Sequence, residues 1–212
     1  MLFWALLSLA HADEMQDVST LQHEWAKAQY TLEGKEQKQA YEALIEQANT
    51  IVQASPESAA ILSWRGIINS TYAGVKGGLG AMKYAKAAKA DLEQSIKLDA
   101  EVLSGSASVS LGILYFKVPG WPIGFGDDDK AKELLEKGLA LSPDGIDSNY
   151  FYADFLTDQG NYNDAKKYLL KAQKAPARPD RPLADKGRHQ EIMALLDVVD
   201  KKLGAKETSK PF

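Results

Sequence analysis

DDKAKELLEKGLALSP (128–143) and YNDAKKYLLKAQKAPA (162–177) are one segment written twice. Ala131 matches Ala165, Leu135 matches Leu169 and Gly138 matches Ala172, each pair 34 residues apart. Within each copy these residues fall four and three apart, the spacing of one helix face. Self-similarity at a fixed period predicts an array of supersecondary units, none of which can bury its apolar face alone. Small residues at such places let the two helices of a hairpin approach closely, and the large ones fill the gap between hairpins.

The pattern extends outward from these copies. Its spacing resembles the tetratricopeptide repeat, W-x2-L-G-x2-Y, then A-x3-F, A and P over about 34 residues. The third unit supplies Leu111-Gly112, Tyr115, Ala131, Leu135, Gly138 and Pro143. The fourth supplies Tyr152-Ala153, Leu156, Gly160, Tyr162, Ala165, Leu169 and Ala172. Upstream, Trp64 and Ile67 fit the opening of a second unit, and Ala88, Leu92 and Ser95 its second helix, with GVKGGLG (74–80) as an enlarged connection. A first unit runs from Trp25 through Ala40, Leu44 and Ala48 to Pro56. Residues 183–203 carry Ile192, Leu195, Leu196, Val199 and Leu203 at helical spacing and read as a helix closing the open end of the array. Strand signals are absent, and proline or glycine punctuates the gaps. The expected fold is all-α, with about four tetratricopeptide-like helical hairpins and a C-terminal capping helix spanning 13–204, and a frayed tail over 205–212.

The chain has 212 residues, 45% hydrophobic and 25% charged, which is typical of a folded protein. A net charge of -4 argues against nucleic acid, which recruits a strongly basic face. The absence of cysteine removes disulfides, thiol nucleophiles and thiolate zinc sites. The start, MLFWALLSLAHADE, holds a short apolar core followed by the small-x-small triplet Ala10-His11-Ala12. That pattern predicts a secretory signal over 1–12, cut after Ala12, and delivery to the periplasm without a lipoprotein cysteine. No Lys or Arg precedes the apolar core, so a buried N-terminal helix is the competing reading.

VPGWPIGFGDDDKAKELL (118–135) has the look of a phosphate- or metal-binding segment. Leu111 to Pro143 spans 32 residues where the repeat needs about 25, so PGWPIGF is an insertion between two helices. Asp127 then stands at an N-cap, with Asp128 and Asp129 facing the positive end of the helix dipole. Consecutive aspartates at a helix start diverge around its axis, and neither the calcium-loop nor the P-loop pattern is met. The inserted Trp121 and Phe125, stiffened by flanking prolines, either fold onto their own hairpin or anchor a partner.

No nucleophile constellation appears, and His23 and His189 lie far apart, so no enzyme activity and no cofactor are expected. Arg178, Arg181, Lys186 and Arg188 read as a solvated linker, or else as a site for an anion or acidic partner. First-helix positions offset from the core would line the inner face of the array. These are Arg65, Asn69 and Tyr72, then Val109, Ile113 and Phe116, then Tyr150, Asp154 and Thr157. Their partly apolar and aromatic character suits a protein partner or a hydrophobic small ligand, unless the capping helix or the Trp121 loop fills the groove.

Two segments, GWPIGFGDDDKAKELLEKGLALSPDGIDSNYFYADFL (120–156) and RPDRPLADKGR (178–188), resemble the T-component family of tripartite ATP-independent periplasmic (TRAP) transporters. The resemblance implies an exported α-helical repeat protein of solute uptake or the cell envelope, with a periplasmic solute-binding receptor as partner. Family members are often lipoproteins, and this chain has no cysteine. The expected function is therefore a non-enzymatic periplasmic scaffold that binds a protein partner. The alternative is a carrier of a hydrophobic small ligand, and nothing in the composition opposes a homo-oligomer.

Overall fold

The computed structural model describes residues 2–208, with side chains described from Asp13 to Ala205 except Leu79. The chain divides into two compact units, 1–103 and 104–212. The first holds α1 (Leu2–Tyr30), α2 (Gly34–Ala54), α3 (Ala59–Lys76), a 3-10 turn (Gly78–Gly80) and α4 (Ala81–Leu98). The second holds α5 (Val102–Lys117), whose first two residues precede the boundary, α6 (Asp128–Leu141), α7 (Ile146–Asp158), α8 (Tyr162–Gln173) and α9 (Pro182–Thr208). Among the described residues every regular element is helical, and no helix is long and apolar enough to cross a membrane.

In the first unit, Trp25 of α1 meets Trp64 of α3 edge-on with ring centroids 5.9 Å apart, and its Nε1–H donates to Thr71 Oγ1 at 3.0 Å. α2 buries Tyr41, Leu44, Ile45, Ala48 and Val52 at three- and four-residue spacing. Leu44 and Ala48 sit in the core as expected, whereas Ala40 is only half-buried and its neighbour Tyr41 is fully buried. Tyr41 belongs there because its ring stacks on Tyr72 while its hydroxyl still reaches Gln29 Oε1 at 2.9 Å.

The α3–α4 hairpin closes around Gly66. A Cβ built on Gly66 would lie 2.7 Å from Leu92 Cγ and 3.3 Å from the Ala88 carbonyl. In the α5–α6 hairpin, a Cβ on Gly112 would lie 2.8 Å from Leu135 Cγ and 3.1 Å from the Ala131 carbonyl. Gly66, Ala88 and Leu92 are thus the counterparts of Gly112, Ala131 and Leu135. One turn on, Ser95 fits close to α3, its hydroxyl reaching Ser63 Oγ at 2.7 Å and the Ala59 carbonyl at 2.8 Å. Gly138 approaches Val109 and the Gly105 carbonyl in the same way. This geometry corrects the first helix of the second unit. The Trp64–Ile67 register would put Ile68 at the close approach, whereas the structure puts Gly66 there. Trp64 is buried because α1 supplies Trp25, not because it opens the repeat.

In the second unit, Ala153, Ala165, Leu169 and Ala172 are fully buried between α7 and α8, the places given by the 34-residue period. Asp127 caps α6, accepting from the Lys130 N–H at 3.1 Å, and Asp128 and Asp129 occupy the first turn. Ile192 and Val199 of α9 are fully buried, with Leu195, Leu196 and Leu203 half-buried beside them. The predicted tail over 205–212 is helical as far as Thr208, and residues 209–212 lie outside the described residues.

Candidate functional site

The inserted loop is pinned at its base. Asp127 N–H donates to the Tyr115 carbonyl at 3.0 Å, and Gly126 N–H to the Pro119 carbonyl at 3.0 Å. Gly126 has no room for a side chain, since a Cβ there would press on Val118 and Pro119. Phe125 turns inward and meets the Tyr115 ring edge-on at 5.6 Å. At the tip, Ile123 and Gly124 N–H groups both close on the Gly120 carbonyl at 3.1 Å, leaving Trp121 90% and Ile123 74% exposed. The two inserted aromatics therefore divide the two roles weighed for them, Phe125 packing locally and Trp121 standing in solvent.

Several of the inner-face candidates are packed within their own unit. Val109 is buried against Gly138 and holds the α5–α6 hairpin, and Tyr72 is buried between Tyr41 and Tyr84. Both are therefore core residues rather than groove-lining ones. Burial, then the Glu42 carboxylate beside it, raises the Tyr72 hydroxyl above the usual phenol range. Ile113 and Phe116 are half-buried, Phe116 meeting Phe155 edge-on at 5.6 Å beneath the Lys117 ammonium. Asp154 pairs with Lys117 at 2.7 Å, and Thr157 Oγ1 donates to the Ala153 carbonyl. The Tyr150 ring is covered by Arg188 of α9, with Cζ 4.5 Å from its centroid, so the capping helix occupies this part of the face. Burial pushes the Tyr150 hydroxyl up to about 12 although Arg188 opposes the shift.

The arginine-rich segment is neither a solvated linker nor an open anion site. Arg178 bridges Asp147 and Asp185 at 2.7 and 2.6 Å, and Arg188 reaches Asp147 Oδ1 at 2.8 Å and Glu191. Arg188 is buried, and Asp185 also accepts the Arg178 N–H at 2.7 Å. Burial works against charge on Asp147, but Arg188 and Arg178, with Arg181 behind them, hold its carboxyl well below the usual carboxylate range. Lys186 is exposed and His189 half-buried. The charges are spent on fixing α9 to α7.

A cavity of about 770 Å³ opens in the first unit, lined by α2, α3 and α4. On its floor Arg65 makes a two-pronged pair with Asp91, Nε to Oδ2 at 2.8 Å and Nη2 to Oδ1 at 2.6 Å. The α5–α6 and α7–α8 hairpins carry only leucine or tyrosine at the corresponding places. Counting from the close-approach glycine or alanine, Arg65 answers to Leu111 and Tyr152, Asn69 to Tyr115 and Leu156, and Asp91 to Leu134 and Tyr168. Tyr152 and Tyr168 meet edge-on at 4.9 Å where the second unit of the array has an ion pair. Sequence reading names Arg65 and Asn69 but not Asp91 or Glu42. The available signal was polarity at a core-facing repeat position, visible only once the register is corrected.

Residues 123–188 match the family model described as tetratricopeptide repeat. Comparison with curated proteins finds no match. Among solved structures, the chain is similar to a crystal structure of MamA at 18% identity and a TM-score of 0.46, covering 82% of this chain and 95% of that one. A second crystal structure of MamA protein is similar at 17% identity and a TM-score of 0.44, covering 93% and 98%. From its own helices and the matched segment, the protein is an all-α chain of tetratricopeptide-like helical hairpins with a C-terminal helix packed on the last of them.

Proposed function

We propose that this protein is a non-enzymatic scaffold that docks a protein partner through the α5–α6 loop, with Trp121 as the anchor. Tetratricopeptide repeats generally mediate protein–protein interaction. The observation that carries the reading is the loop itself, with one aromatic used to hold it down and the other left 90% exposed. A tryptophan on a pre-ordered loop forfeits little conformational freedom on docking, which is what a binding hot spot needs. The TRAP T-component resemblance and the apolar start of the chain support a finer form. In it the chain is exported, is cut after Ala12, and takes a solute-binding receptor as partner in the periplasm.

A photo-crosslinking residue at position 123, installed in the exported protein, should join it to a solute-binding receptor in intact cells. Trp121→Ala should weaken association with that receptor about 30-fold or more, the size of a hot-spot loss. Its melting temperature should stay within about 2 °C of the parent. Equal association by the Trp121→Ala protein would overturn the anchor role, and capture of other proteins only would overturn the receptor.

A further inference from the structure

We propose that the cavity of the first unit binds an extended organic cation, an alkyl chain bearing amine or guanidine groups, through Asn69 on its floor and Glu42 and Glu46 on its α2 wall. The proposal is independent of the Trp121 reading, since the cavity lies wholly in the first unit.

Three polar residues line the cavity where the other hairpins put Leu or Tyr. Filling such places with Leu or Tyr, as Leu111 and Tyr152 do, would be at least as good for stability. A polar set retained at that cost points to a ligand. What it would bind follows from what its own contacts leave over. Arg65 and Asp91 neutralise each other through two short bonds and offer no net charge. Asn69 is 4% exposed, and its Nδ2 donates to the Arg65 carbonyl at 3.0 Å. No donor among the described residues reaches its Oδ1, and Asn69 lines the cavity. Glu42 uses one oxygen to accept from Tyr72 at 2.5 Å, and Glu46 has no ion-pair partner among the described residues. Asn49 Oδ1 is held only loosely, 3.4 Å from Arg65 Nη1. The opposing charge in the lining is Lys83, its Nζ 5.7 Å from the Tyr84 centroid, with Lys76 beside the same ring at 5.6 Å. Lys83 is exposed, whereas Lys76 is half-buried with its Nζ 3.4 Å from the Tyr72 hydroxyl. An anion entering the cavity would meet two carboxylates and acceptor oxygens, whereas an N–H donor cation satisfies them.

The shape argues for an elongated ligand. Glu42, Glu46 and Asn49 follow one another at successive turns of α2, so acceptors recur over about 10 Å at about 1.5 Å per residue. Between them the lining is carbon, from Ile45, Ala87 and Ala90. The volume lies within the range of small-molecule sites, about 300–1,000 Å³.

Calorimetric titration of the full chain with 1,8-diaminooctane and with spermidine tests this. Saturable binding near one equivalent is expected, with no binding of 1,8-octanediol or of suberate, the dicarboxylate of the same length. Asn69→Leu and Glu46→Gln should each weaken diamine binding at least tenfold. Asn69→Leu places at position 69 the residue type of Leu156, so it should fold, and Glu46→Gln changes only an exposed side chain. A parallel titration with the peptide Lys-Ala-Lys separates the sources of the cation. Tighter binding than the diamine assigns the site to basic side chains of a protein, and weaker binding assigns it to a free amine. Binding of suberate, absence of saturable binding by any of the three cations, or amine binding unchanged in both variants would overturn the proposal.

Discussion

Glycine inside a helix costs about 1 kcal/mol relative to alanine, so Gly66 and Gly112 persist for a contact reason. At both, an added methyl would meet a buried leucine under 3 Å away, with the facing helix backbone just behind it. Gly66→Ala and Gly112→Ala should therefore lower stability by about 1–3 kcal/mol through overpacking. Gly74, also in α3, has nothing within 4 Å of its added Cβ. Gly74→Ala should raise stability by about 0.5–1 kcal/mol, since only the helix propensity changes. The partner side of the same contacts predicts that Ala131→Leu and Ala165→Leu each cost about 1–3 kcal/mol, because both alanines are fully buried. Thermal melts of all five variants check the register at once. Parent-like melting of both leucine variants would mean that the 34-residue alignment names the wrong contacts.

Helices and hairpins show where side-chain identity departs from the repeat. Removing Asp91 alone leaves Arg65 without its carboxylate, and Asp91→Ala should cost about 2–3 kcal/mol, below the fully buried limit because Arg65 keeps some solvent contact. The double variant Arg65→Leu/Asp91→Leu restores the apolar pairing of the other hairpins. It should melt at or above the parent temperature, a double-mutant cycle being the measurement. The network at the start of α9 makes a pH prediction. The Asp147 carboxyl is held below its ordinary range, so its contribution is complete above about pH 4 and disappears as pH falls through the lower folded-state value. Asp147→Asn should cost about 2 kcal/mol at pH 7 and flatten the acid limb of stability, read from urea melts between about pH 2 and 7.

These hairpins also mark how far the sequence was legible. The third and fourth units were readable because their contact residues are small and periodic, with Ala131, Ala165, Gly138 and Ala172 all buried where the spacing puts them. The second unit was misregistered because Trp64 mimics a repeat signature while answering to Trp25 from another helix. The cleft was hidden because Arg65 and Asp91 are 26 residues apart across the glycine-rich connection and become partners only when the hairpin closes. Likewise Arg178, Asp147 and Arg188 read as loose charges until α9 folds back onto α7.

For the molecule as a whole, the open matter is its beginning. α1 is one helix from Leu2 to Tyr30, and the proposed cut after Ala12 would fall inside it. Among the described side chains of α1, burial starts at Val18 and continues through Leu21, Trp25, Ala26 and Ala28. Glu14, just past the cut, accepts from Ser58 at the N-cap of α3. Every described contact that ties α1 to the first unit therefore survives in a chain beginning at Asp13. The shortened helix keeps about five turns, enough for its buried face to be held by packing rather than by helix propensity. Two measurements follow. Intact mass of the protein recovered from the periplasm should show loss of residues 1–12, and a retained start would refute the signal. A chain beginning at Asp13, made without export, should melt within about 2 °C of the full chain, because it keeps every described buried contact of α1. A drop of more than about 6 °C would show instead that residues 1–12 belong to the core, the competing reading of the same apolar run.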